Sequence, residues 1–511
     1  MSLHFHGLID WWPVKLASAA AALIVLVSAP AAQAAVPIPQ NAAELAGLDV
    51  FSGKAAKPRP VFAPRVPRHP FMAANGRSNV HNDAYQTDTY RQSGPLGGRM
   101  QMFSQSFDGA GGIGSCGITI AFDRRGRLIT TCVSAASVEL RLMDPKTLDT
   151  IASHDLPDRA IPPGVSPFQA PGGAYFYVDD RDRAVVSIGR QILVVAIRGN
   201  RLKRVWTYDL SPVIPADDQL NSALPDWSGR LWFVSRRHGI VGALDRGSGR
   251  VFGTHRTGEA IGNSFAVDDS GGVFVVTDRA QYRFDAERSG APKVSWRQRY
   301  DNVRVQKPGQ FDAGSGTTPT LMGKSYLSIA DNAARMQVVV MRRAKRLPRG
   351  RRRVVCEQPV FRKGAGATEN SIIATGRSML VENNYGYFPP PDATSDGKTT
   401  RPGVERVDIH PGGRGCRTVW KSSEISPTTV PKLSLANGLV YLYTKPKGLP
   451  DAWYLTAVDF RSGRTVWRRL IGTGLLFNVH YAGLAIGPGG VLYSGVLGGT
   501  VAVAQRADTR R

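Results

Sequence analysis

From residue 99 onward, apolar and polar positions alternate in short runs, and each run ends in a turn rich in Asp, Asn and Gly. Alternation at a period of two, sustained over about four to eight residues, marks a strand with one face in a core. The stretch Trp453 to Trp467, WYLTAVDFRSGRTVW, contains a whole strand, turn and strand. Tyr454, Thr456 and Val458 alternate with Leu455, Ala457 and Asp459, the chain turns at Arg461-Ser462-Gly463, and Thr465 to Trp467 begin the return strand. Asp459 can accept hydrogen bonds from the turn's own N–H groups, and Gly463 can supply the positive φ that closes it.

Similar hairpins recur around Gly126, Gly173, Gly229, Gly271, Gly323, Gly376, Gly438 and Gly489, at intervals of about 42 to 62 residues. Most are followed by a second hairpin, such as GALDRGSGRVFGTH or LTAVDFRSGRTVWRRL, so each repeat holds about four strands. Repeats of this size are the blades of a β-propeller. The last copy has too few strands, since only GTVAVAQ follows VLYSGV, and RMQMFSQSFD at 99–108 supplies the missing one. The pattern predicts an all-β protein: a single eight-bladed β-propeller of four-stranded antiparallel blades over 99–505, its ring closed by an N-terminal strand. A basic tail, 506–511, follows. The Trp453–Trp467 hairpin becomes the outer half of the seventh blade, with its Trp as a packing plate between neighbours.

The N-terminus departs from this pattern. Leu16 to Ala29 is apolar but short for a membrane span, and Ala32-Gln33-Ala34 offers a small-x-small cleavage site, so 1–34 reads as a secretory signal peptide. With the single firm charge Lys15 ahead of it, an uncleaved anchor stays open as an alternative. No later stretch could span a membrane. Residues 35–98 are proline-rich and expected to be extended. Within them NGRSNVHNDAYQTDTY, 75–90, reads first as a surface wrap, with a plug across a binding face as the alternative. The four cysteines of an exported chain are expected to pair. Cys116 and Cys132 flank one hairpin symmetrically, which leaves Cys356 and Cys416 to join consecutive blades.

The net charge of +25 raises the question of an anionic partner. The densest run, MRRAKRLPRGRRR at 341–353, lies between two apolar strand-like runs and reads as a solvated hairpin loop. No aromatic residue interleaves with its charges, which argues against nucleic acid.

The motif Ala457-x-Asp459-x-x-Ser462-Gly463-x-x-x-Trp467, matched in part by Ala243, Asp245, Ser248 and Gly249, resembles the repeat of the pyrroloquinoline-quinone-type propellers. That family includes quinoprotein alcohol dehydrogenases and cofactor-free relatives in bacterial envelopes. The resemblance implies a propeller over about 100–505, and for the enzymes a ring of vicinal cysteines in the cofactor pocket. This chain has no adjacent cysteines, so pyrroloquinoline quinone is not expected.

In a propeller, the loops entering innermost strands and those joining second to third strands open on one rim. The sequence puts Asn221-Ser222, Asn263-Ser264, Thr317-Thr318, Glu369-Asn370, Lys432, Asn478 and His480 on the first set. Asp331-Asn332, Glu382-Asn383-Asn384-Tyr385 and Lys445 fall on the second. Glu369, Asn370, Glu382, Asn383 and Asp331 present oxygens suited to calcium, which propeller lactonases use to polarise a carbonyl and a water. Turn formation explains the same residues without a metal. His480 is a rim histidine, a hydrogen-bonding residue or a general base, and His81 is its counterpart in the N-terminal segment. No nucleophile elbow, P-loop or zinc-spaced cysteine set is present. The leading reading is a secreted or cell-envelope propeller, expected to be a monomer, that binds protein, glycan or an anionic envelope polymer without catalysis. The alternatives are a calcium-dependent hydrolase or lactonase with Glu369, Glu382 and His480 at its centre, and a quinone-dependent oxidoreductase.

Overall fold

The structure, a computed structural model, describes residues 33–108, 112–134, 137–158, 161, 175–387, 399–448 and 450–506. Most of the expected signal peptide, the turn glycine Gly173 and residues 507–511 therefore lie outside the described residues. Residues from Ala32 onward form one compact unit.

Eight antiparallel sheets succeed one another along the chain. The first blade runs Ser115–Phe122, Leu128–Val133, Val138–Met143, Thr150–Leu156, from innermost to outermost. The seventh runs Lys432–Ser434, Leu439–Thr444, Ala452–Asp459, Thr465–Thr473, and the hairpin WYLTAVDFRSGRTVW is its outer half. Its turn forms as the side chains dictate: Asp459 Oδ1 accepts from the N–H of Arg461 and Ser462 and from Ser462 Oγ, at 3.1, 2.8 and 2.8 Å, and Gly463 has φ +72°. In the eighth blade Met100–Ser106 pairs with Gly499–Gln505 as the outermost strand, so the N-terminal strand closes the ring and removes the open edge.

The core is a ring of apolar clusters between blades. Trp467 is fully buried with Tyr441 of its own blade and with Ile486, Leu492 and Val503 of the eighth, the packing plate expected. Burial of each such side chain contributes about 1.5–3 kcal/mol. Cys116 and Cys132 bridge the first two strands of blade one, and Cys356 and Cys416 bridge the outer strands of blades five and six.

Blade two corrects one expectation. Its innermost hairpin is not FQAPGGAYFYVD around Gly173. Phe176–Val178 is the innermost strand and pairs with Arg183–Ile188 across a turn at 179–182. Asp182 takes φ +62° there, where other copies place glycine. Asp179 clamps the turn, accepting from the N–H of Arg181 and Arg183 at 2.9 Å and pairing with the Arg183 guanidinium. The same Asp and Arg at i and i+4 clamp Asp123–Arg127 and Asp226–Arg230, a signal present in the sequence as DRRGR, DDRDR and DWSGR.

A second correction concerns residues 75–90, which are not a surface wrap. They close the central channel from below. The N–H groups of Phe122, Val178, Val267, Leu321, Ala374 and Leu435, at the far ends of six innermost strands, donate to the carbonyls of Arg77, Ser78, Ala84, Tyr85, Thr87 and Tyr90 at 2.7–3.0 Å. Thr89–Tyr90 lies parallel to Lys432–Ser434 as an extra inner strand of blade seven, and Phe51–Gly53 adds an outer one. Because innermost strands run from the rim of entrance to this end, the plug sits opposite the rim that the sequence nominated, not across it.

Three non-glycine residues of the plug, Asn82, Gln86 and Asp88, have positive φ, which lets so short a segment turn repeatedly inside the channel. Lys432 fastens it, with Nζ donating to the Val80 carbonyl at 2.6 Å and to the Asp88 carboxylate, and both ions are fully buried. His81 Nδ1 lies 3.0 Å from Asp88, and its Nε2 lies 3.4 Å from Ser371 Oγ. The 341–353 run is indeed the loop of a hairpin, but it is not wholly solvated. Arg343 is buried against the plug, pairing with Asp268 at 2.6 Å and donating to the Tyr85 hydroxyl at 3.1 Å.

Candidate functional site at the open rim

The other end of the channel gathers the loops that enter innermost strands and those that follow second strands. Glu382 ends the second strand of blade six, Ser378–Glu382, and Asn370 precedes the innermost one, Ile373–Thr375, so the hairpin brings them together. Asn370 Nδ2 donates to Glu382 Oε1, Asn384 Nδ2 reaches the same oxygen at 3.4 Å, and Ser426 Oγ donates to Oε2 at 2.7 Å. Asn384 also accepts the Glu369 N–H at 2.6 Å, and so links the two glutamates. Glu369 in turn accepts the N–H of Phe311.

Burial governs the charge of both acids. Desolvation pushes the Glu382 carboxyl up to about 8 against the pull of its Ser426, Asn370 and Asn384 hydrogen bonds and the Lys432 charge. Desolvation, with Asp312 adding repulsion, lifts Glu369 to about 8 as well. Both carboxyls are therefore shifted toward the protonated form. Asp331 and Asn383 serve their own turns. Asp331 Oδ1 accepts from the N–H of Gln337 and Ala333 at 2.7 and 3.2 Å, and Asn383 Oδ1 accepts from those of Ala367 and Tyr385. Among the described residues no three His, Cys, Asp or Glu side chains converge. In this arrangement the oxygens of Glu382, Asp331 and Asn383 are engaged in hydrogen bonds within the protein.

His480 enters the site through an aromatic cluster that sequence reasoning missed. His480 Nδ1 lies 2.9 Å from the Tyr387 hydroxyl, and that hydroxyl also donates to Asn478 Oδ1 at 3.2 Å. The rings of Phe311 and Tyr481 are 4.3 Å apart, and Tyr387 and Tyr481 meet edge to face at 5.4 Å. Phe311, His480 and Tyr481 are half-buried. His480 and Tyr481 both have positive φ, at 36° and 63°. Consecutive side-chain-bearing residues in that region are uncommon, and such strain concentrates at functional positions.

Polar groups inside the channel remain without partners. Asn370 Oδ1, Asn478 Nδ2 and both amide atoms of Gln86 are buried and make no hydrogen bond within the protein. Buried polar atoms are nearly always satisfied, so water or a ligand completes them. The sequence placed Asn370 and Asn478 at the rim, but nothing in it shows which of their atoms stay free.

No known family profile matches the chain. A curated relative, an uncharacterized protein of Archaeoglobus fulgidus, is 31% identical over 265 residues, 47% of this chain and 51% of the relative; the chain thus spans about half the length of the relative it matches. Among solved structures, a quinohemoprotein alcohol dehydrogenase from Pseudomonas putida HK5 superposes with a TM-score of 0.51 at 10% identity, covering 86% of this chain and 81% of that one. BamB from Moraxella catarrhalis gives 0.47 at 14% identity, covering 81% and 100%. The likeness to the dehydrogenase supports a shared β-propeller fold and says nothing of activity.

Proposed function

We propose that this chain is an exported, non-catalytic binding propeller whose open rim takes a neutral, hydroxyl-rich ligand, a glycan or a glycan-bearing envelope partner. One observation carries the reading. Half-buried Phe311 and Tyr481 stand beside buried amides with unpartnered atoms, in a site whose glutamate carboxyls are pushed toward their neutral form. Aromatic faces cover the apolar faces of a sugar ring, amides meet its hydroxyls, and uncharged acids neither repel nor attract. The two disulfides are consistent with an extracytoplasmic location, where such ligands are found. In this reading no cofactor takes part.

Calorimetric titration with a panel of envelope oligosaccharides tests it. At least one should bind, and Phe311→Ala and Tyr481→Leu should each weaken it by about tenfold while the melting temperature stays within a few degrees. Binding indifferent to both changes would overturn the proposal. So would stoichiometric calcium, lost in Glu369→Gln and Glu382→Gln, accompanied by lactone or ester hydrolysis.

A further inference from the structure

The plugged end carries a charge asymmetry that the fold does not use. In blades five to seven the turns that gather there, 323–325, 343–353, 376–377, 410–415 and 459–464, carry Lys and Arg and a single acid, Asp459, which pairs with Arg59 at 3.6 Å. The segment crossing the same end, 54–70, contains Lys54, Lys57, Arg59, Arg65 and Arg68 and no acid of its own. It is held there by the Arg59 and Val61 N–H groups, which donate to the carbonyls of Asn437 and Leu435 in the blade-seven turn at 2.9 and 2.8 Å.

Part of this charge is spent on structure. Arg343 pairs with Asp268 under the plug, Arg353 stacks on Trp296 at 4.4 Å, and Lys345 lies 3.7 Å from Asp285. Arg346, Arg349, Arg351 and Arg352 remain exposed, and none has an acid within ion-pair distance among the described residues. At the open rim the balance differs: Arg236 pairs with Asp312, Arg237 with Asp217 and Lys445 with Asp451.

One more feature separates this end from a merely solvated surface. Phe62, on the crossing segment between Arg59 and Arg65, is 96% exposed. Its neighbours Val61 and Ala63 pack into the interface of blades six and seven, which fixes the backbone and leaves the ring projecting.

We propose that the plugged end docks on an anionic phospholipid bilayer, with the 346–352 arginines over headgroup phosphates and Phe62 entering the apolar boundary beneath them. A bilayer presents both a dense anionic layer and an apolar one directly below it, which matches guanidinium groups around a projecting ring. The basic groups stand on separate short turns of several blades and make a broad face. The arginine loop has no aromatic residue to stack on a base, which argues against a single-stranded nucleic acid. The inference is independent of the rim reading, and either can fail alone.

Vesicle sedimentation tests it, using the chain from residue 33 onward, which is one compact unit. It should bind vesicles of phosphatidylglycerol mixed with phosphatidylcholine, ignore pure phosphatidylcholine, and be released by high salt. Changing Arg346, Arg349, Arg351 and Arg352 together to Gln should weaken binding by about fivefold per arginine. Phe62→Ser should weaken it by roughly tenfold. Circular dichroism should show both variants folded, since every change is on an exposed side chain. Absence of binding to the anionic vesicles would overturn the proposal, as would equal binding to neutral ones. Anionic binding untouched by Phe62→Ser, together with equally tight binding to duplex DNA, would replace the bilayer by a polyanion and overturn it too.

Discussion

The two ends of the channel solve opposite problems with the same eight blades. At the plugged end, N–H groups of six innermost strands find carbonyls of one segment, a buried lysine finds a buried aspartate, and a loop arginine closes over the plug. At the open rim Asn370 Oδ1 and Asn478 Nδ2 stay unpaired, two glutamate carboxyls are pushed well above the usual carboxylate range, and His480 and Tyr481 have positive φ. The unpartnered atoms of the plug, on Asn82 and Gln86, sit instead among backbone groups that are paired. Satisfied polar networks fix a structure, whereas unsatisfied ones are completed by something else. The difference assigns stability to one end and recognition to the other, and substitutions at each should separate the two properties.

The largest effect is expected at Lys432. Lys432→Met strands Asp88 as a buried charge with only His81 beside it, and the cost should be about 3–5 kcal/mol in urea unfolding. The double change Lys432→Met, Asp88→Leu should recover most of that loss, because two apolar groups of similar size need no ion pair. A loss below about 1 kcal/mol for the single change would show that water reaches Asp88 and that this end is not sealed.

A smaller effect should mark the rim through pH. The Glu382 carboxyl is raised from 4.5 to about 8, so the folded state holds its proton more tightly than the unfolded chain does. The stabilisation is complete below the ordinary carboxyl range and is lost as pH rises from about 4.5 through 8. Glu369, at about 8, and Asp331 and Asp83, each at about 7, slope the same way, so stability should fall over this interval. Glu382→Gln should flatten the curve and gain about 2 kcal/mol at pH 8. A variant curve parallel to the parent's would mean that Glu382 is ionised throughout.

How much of this contrast could be read from the chain follows from the range of the interactions. The Trp453–Trp467 hairpin was legible because its turn is bonded within itself, by Asp459 to residues two and three further on. The closing strand was legible because a blade short of one strand requires it. Cys116 and Cys132 were placed by hairpin symmetry, and Cys356 and Cys416 followed by elimination. The plug was legible only as an alternative to a surface wrap, and at the wrong end of the channel. Its hydrogen bonds reach strands up to several hundred residues away through backbone carbonyls, which carry no side-chain signature, and its polar composition reads as solvent-facing. Glu369 and Glu382 could be singled out as flanking one hairpin, yet their link through Asn384 and their neutral state depend on burial. The aromatic cluster of Phe311, Tyr387, His480 and Tyr481 joins three separate loops and has no spacing to detect.

The smallest effect is also the one that locates the boundary between the two ends. Gln86 belongs to the plug, but its amide has no protein partner although the residue is 1% exposed. Its neighbours Tyr85 and Thr87 spend their carbonyls on the innermost strands of blades five and six, so the Gln86 backbone is fixed where its amide stays unpartnered. With water above the plug, Gln86→Met exchanges hydrated amide atoms for apolar ones and should lower stability by about 0.5–1 kcal/mol. In a dry channel the same change would remove an unsatisfied amide and raise stability instead. A gain would therefore place Gln86 wholly inside the sealed end and leave Asn370 and Asn478 as the floor of the rim site.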